Sequence, residues 1–89
     1  MDNQILLLIS YGDQITLTML SDVREFGNLI KLVGEKWPSI EVEDVTLTYR
    51  VPGCSKCMLD CDIDLEKLVM LCNMMGVSWV DVQIGRAHV

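Results

Sequence analysis

Hydrophobic and polar positions along the chain switch between two periods, and the switches mark the elements. Gln4 to Tyr11 contains the apolar run Ile5 to Ile9 and reads as a buried strand. Gly12-Asp13 supplies a turn. Gln14 to Leu20 then alternates, with Ile15, Leu17 and Met19 on one face and Thr16 and Thr18 on the other, so the two runs predict a β-hairpin. Asp22 and Glu25 have the spacing of a capping box. After them Phe26, Leu29, Ile30, Val33 and Trp37 recur at helical intervals until Pro38 ends the stripe. Gly27 and Gly34 each weaken that helix by about 1 kcal/mol relative to alanine. Ser39 to Asp44 is an acidic connection.

Residues 45 to 76 carry the clearest signal. Val45, Leu47, Tyr49 and Val51 alternate with Thr46, Thr48 and Arg50, the period of a half-buried strand. Pro52-Gly53 breaks it, since proline donates nothing to a ladder and glycine accepts positive φ. Lys56 to Cys61 is long enough for one more short strand. Asp62 is expected to cap the following helix, with Asp64 and Glu66 favouring its positive end. Leu65, Leu68, Val69, Cys72 and Met75 share a helical face, and Gly76 is placed for a left-handed stop. Val77 to Val82 closes the pattern as a last strand.

The order is ββαββαβ. An α+β domain with a mixed sheet and both helices on one face buries the two helical stripes most economically, which is the ubiquitin-like β-grasp arrangement. At 89 residues the chain holds one domain with one modest core.

The tail Ile84-Gly85-Arg86-Ala87-His88-Val89 stands outside this pattern. It matches the translation of ATCGGAAGAGCACACGTC, which resembles a short-read sequencing adapter, and Gln83 agrees with the adapter bases ahead of that stretch. Residues 1-82 are therefore expected to be the domain, and 83-89 adapter read-through rather than native sequence. On that reading the chain is a truncated fragment of a longer protein, and His88, the single histidine, carries no function.

The formal net charge of −6 argues against a phosphate-binding surface and favours basic partners. No apolar run approaches the roughly 18–20 residues of a membrane span. Asp2 rather than a basic cluster precedes Ile5 to Ile9, so that run is read as a strand and not a signal peptide, with the cytosol or nucleus as the expected compartment.

Three features could carry chemistry. Cys54-Ser55-Lys56-Cys57 is a C-x-x-C, with Cys61 close by and Cys72 on the buried helix face. A small metal-binding or redox protein using these four thiols is the alternative reading, but a tetrahedral zinc site would need Cys72 to leave its apolar face. A redox pair normally opens a helix, whereas this one sits at a strand connection. Asp60, Asp62, Asp64 and Glu66 form an acidic row suited to capping or to docking a protein partner, either a basic one or another domain of the same protein. Met70 and Met74, with Leu71, lie off the main helical stripe, and are either an adaptable partner-facing patch or residues covered by the sheet or by the rest of the protein. There is no Gly-rich phosphate loop and no nucleophile–base pair, so no enzymatic activity, cofactor, metal site or direct nucleic-acid binding is expected of this chain.

V-T-L-T-Y-R-V-P-G, then M-L-D-C-D-I-D-L-E-K-L-V-M-L and V-S-W-V-D-V, resemble the N-terminal PB-one-like (Phox-and-Bem-type) domain of plant Mutator-like element (MULE) transposases and proteins derived from them. The resemblance covers residues 45 to 82 closely and the first hairpin and helix loosely. It implies a ubiquitin-like protein-interaction domain in a nuclear protein, with any transposase core downstream. Domains of this kind pair front to back, an acidic cluster meeting a lysine on another module's first strand. Asp62 and Asp64 match the acidic residues at the second helix. The remaining acidic positions fall on Tyr49 to Gly53, where Arg50 and Pro52 stand instead, and Gln4 to Tyr11 has no lysine. The resemblance therefore brings over the fold and part of the acidic face, but not the whole pairing code.

Overall fold

Two residues at a hairpin tip set the start of the sheet. In the computed structural model, which describes residues 4–86, Gly12 takes φ +60°, the positive value a two-residue hairpin turn requires at its first central position. It joins β1 (Leu6–Tyr11) to β2 (Gln14–Met19) in an unbroken antiparallel register from Tyr11↔Gln14 to Leu6↔Met19.

The remaining elements are α1 (Phe26–Lys36), β3 (Val45–Arg50), β4 (Cys57–Leu59), α2 (Asp62–Met75) and β5 (Trp79–Arg86), with 3-10 turns at Leu20–Asp22 and Val42–Asp44. The five strands form one mixed sheet in the order β2-β1-β5-β3-β4. β5 lies in the centre, parallel to β1 and antiparallel to β3. The ββαββαβ order and the α+β β-grasp architecture follow the sequence expectation.

One face of the sheet holds the core. Leu7 and Ile9 of β1, Leu47 and Tyr49 of β3, Leu59 of β4, and Val80 and Val82 of β5 meet Leu29 and Val33 of α1 and Leu65, Leu68 and Cys72 of α2 in a single cluster. Each fully buried aliphatic side chain in such a cluster contributes about 1.5–3 kcal/mol. Among the described residues no polar or charged side chain is buried, and no helix is long and apolar enough to cross a membrane.

Trp37 pins the end of α1 to the hairpin. Its backbone N–H donates to the Val33 carbonyl at 2.9 Å, and its ring lies edge-on to Tyr11 with centroids 5.9 Å apart. Its indole N–H donates to the Gln14 side-chain carbonyl. Gly76 ends α2 at φ +68°, ψ +32°, the left-handed stop its position predicts.

Several local expectations change. Asp22 does not cap α1, because it is taken up in the 3-10 turn, and the residue at the cap position is Glu25, without a side-chain cap. Met75 is exposed rather than on the buried stripe of α2. The apolar row of β2 faces away from the core: Ile15 and Leu17 are exposed, whereas Thr16 and Thr18 are half-buried beneath α1's side of the sheet. The last strand also passes the boundary expected at Val82. Ile84 pairs with Leu47, Gly85 with Thr46 and Arg86 with Val45. Ile84 extends the core-facing row of Val80 and Val82 and is only 8% exposed, so residues 84 to 86 belong to the sheet whatever their coding origin. Ala87, His88 and Val89 lie outside the described residues.

Candidate interaction surface

The short β4 delivers the chain directly into α2, and this junction gathers the acidic row. α2 starts at Asp62 itself, the residue expected as its cap; the capping position belongs to Cys61, one residue earlier, whose side chain accepts nothing from the helix. Asp62 is thus corrected from cap to first helical residue. Its carboxylate instead accepts the backbone N–H of Phe26 at 2.6 Å. α1 has no acidic residue in its first turn and no side-chain cap of its own, and Asp62 supplies both the acceptor and the negative charge. The same carboxylate sits in the first turn of α2, so it is favourable at the positive ends of two helices at once.

Asp64 is similarly engaged. Its carboxylate accepts the Asp60 backbone N–H at 2.9 Å and lies 3.6 Å from the Cys61 sulfur, a side chain reaching back over the helix start. The row therefore divides by role. Asp62 and Asp64 hold the junction together, whereas the carboxylates of Asp60 and Glu66 stand on exposed residues facing solvent.

Beside this row α2 carries a second apolar stripe. Ile63, Met70 and Met74 follow at helical intervals and are 61%, 61% and 76% exposed. Leu71, by contrast, is half-buried against the core. Sequence reading picked out Met70 and Met74 and missed Ile63, although the spacing of seven and four residues was there to be found. Met58 on β4 is likewise exposed and was not anticipated.

Three of the four thiols are at least partly buried around this junction. Cys72 is fully buried under α2, Cys54 and Cys57 are half-buried, and Cys61 is exposed, all with free thiols. Burial first, and then the neighbouring Cys54, pushes the Cys72 thiol up. Tyr49 on β3 is pushed up to about 12, chiefly by burial, then by the charge and hydrogen bond of Cys57, with smaller contributions from Asp64 and Cys72. The Cys57 thiol itself lies 3.5 Å from the Ser55 carbonyl. Among the described residues no group of three or more His, Cys, Asp or Glu side chains is placed to hold a metal ion, so the four-thiol site has no geometric basis there.

Solved structures share this arrangement of sheet and helices. The PB1 domain of Cdc24p, long form, superposes with a TM-score of 0.75 at 17% identity, over 93% of this chain and 97% of that one. The fold is that of PB1 domains. The AtNBR1 PB1 domain in its L-type filament, determined by cryo-EM, gives a TM-score of 0.73 at 14% identity, covering 96% of this chain and 99% of that one. A second structure of the AtNBR1 PB1 domain gives 0.69 at 13% identity with 96% and 99% coverage. No protein-family model and no curated protein matches the sequence.

Proposed function

We propose that this chain is a non-catalytic protein–protein interaction domain that docks a basic partner on the β4–α2 junction. One observation carries the reading: exposed Asp60, just ahead of α2, and exposed Glu66 on α2 lie beside an exposed apolar stripe of Ile63, Met70 and Met74 on that helix. A charged rim beside an adaptable apolar patch is the composition of a specific but reversible interface. The PB1-type fold of the neighbouring structures supports it. The partner class is a basic protein surface, with a PB1 domain bearing a first-strand lysine as the most direct candidate.

The resemblance of residues 45 to 82 supports placing this domain at the start of a plant MULE transposase-like protein in the nucleus, with residues 84 to 89 as adapter read-through. The transcript beyond the codon for Val82 decides that point, because a native continuation will differ from the adapter sequence.

The test of the interface is an association rate. A PB1 domain carrying the first-strand lysine is immobilised, and the parent chain is compared with an Asp60→Asn, Glu66→Gln double variant at low and high salt. The double variant should associate more slowly at low salt and show a flatter salt dependence, because long-range attraction acts mainly on encounter. Equal rates for parent and variant at low salt would reduce the acidic row to a solvated helix start.

A further inference from the structure

We propose that β2 is a pairing edge for a second copy of this chain, joining two sheets through an antiparallel β2–β2 ladder about a two-fold axis. β2 is one end of the sheet, and its six residues are paired to β1 without a bulge. Gln14 to Met19 contains no charged residue, proline or glycine, the devices that normally guard an exposed edge. The opposite edge is guarded: β4 is three residues long and lies between Lys56 and Asp60.

The register of the hairpin decides what the free edge offers. Leu20 donates its N–H to the Ile5 carbonyl at 2.8 Å, so the backbone groups of even-numbered residues along this strand turn toward β1. Those of Ile15, Leu17 and Met19 therefore turn outward. In a two-fold ladder centred on Leu17, Leu17 meets its own equivalent and Ile15 meets Met19, so the outward hydrogen-bonding positions coincide with apolar side-chain pairs. Thr16 meets Thr18 on the helix side. No pair in that register juxtaposes a charge, which matters for a chain of net charge −6.

The side chains argue the same way. Ile15 and Leu17 are 65% and 60% exposed, and Leu6, Leu8, Met19 and Trp79 continue the apolar surface across β1 to β5, where they line a shallow groove of about 520 Å³. The acidic row lies at the far end of the sheet, beyond β3, so pairing at β2 keeps the two rows apart. A single six-residue ladder falls short of the roughly 1,200–2,000 Å² buried in stable complexes, so the dimer is weak and forms with rising concentration.

Sedimentation equilibrium of the full chain from micromolar to millimolar protein, at low and high salt, tests this. The mass should rise from 10.1 kDa toward a dimer and stop there, and salt should strengthen association by screening like charges. Leu17→Lys should abolish the rise, whereas Met58→Lys on the opposite edge should leave it intact. Ile15→Lys serves as the second edge variant if circular dichroism shows Leu17→Lys misfolded. A constant monomer mass overturns the proposal. So does association that salt dissolves, that passes beyond the dimer, or that the β2 lysines leave unchanged, because each of those marks pairing through the acidic row.

Discussion

The Asp62 carboxylate accepts the Phe26 backbone N–H at 2.6 Å, tying the first turn of α2 to the first turn of α1 across 36 residues of chain. Removing it should loosen the helix that does not contain it. Asp62→Ala is expected to cost about 1 kcal/mol in urea unfolding, as for loss of a helix cap. Amide exchange should speed up at the start of α1 before it does in α2. Asp62→Asn keeps an acceptor and loses the charge, so it should recover part of the loss. If exchange instead rises only in α2, the hydrogen bond to Phe26 contributes nothing to stability.

That contact shows where the sequence stopped being legible. Periodicity placed the helices and strands because each element's apolar period is a local property, and Gly12, Pro38 and Gly76 punctuate it with backbone requirements of their own. The acidic row was also visible as composition. What Asp62 does was not visible, since a cap supplied from another helix leaves no signature at either position. The outward turn of Ile15 and Leu17 was hidden for a related reason: alternation identifies two faces but not which of them the helices cover. Ile84 failed differently. Its parity fits the row of Val80 and Val82, but the adapter match drew it out of the pattern.

Truncation after Gln83 should be destabilising. Ile84 is 8% exposed and pairs with Leu47 in the middle of the sheet. Its loss is expected to cost about 2–4 kcal/mol, in the range of large-to-small core substitutions. Ile84→Val should cost under about 1.5 kcal/mol, because it keeps β-branching and most of the volume. A truncated chain as stable as the parent would mean that β5 is complete at Gln83.

Thiol labelling of the native protein should follow burial. Cys61 is exposed, Cys54 and Cys57 are half-buried, and Cys72 is fully buried with its thiol pushed up. Alkylation near neutral pH followed by mass spectrometry should modify Cys61 first and Cys72 last, since the thiolate is the reacting form. In denaturant the order should collapse. Early modification of Cys72 under native conditions would show that α2 opens locally far more easily than the global fold.

Alkali should destabilise the domain through Tyr49. The residue is 3% exposed, and its phenol is pushed up to about 12 from the ordinary value near 10, chiefly by burial and then by Cys57. A raised value means that the folded state prefers the protonated phenol. The associated stability is fully present below the unfolded-state value and is lost as pH rises from about 10 through about 12. The loss is on the order of 3 kcal/mol for a shift of this size. Cys72 shifts in the same direction, so its thiol adds an alkaline slope of its own. Comparing urea midpoints of the parent and Tyr49→Phe across this range separates the two. The parent should lose stability more steeply above pH 10, and the difference between the two proteins should vanish if the phenol ionises as freely in the folded state as in the unfolded chain.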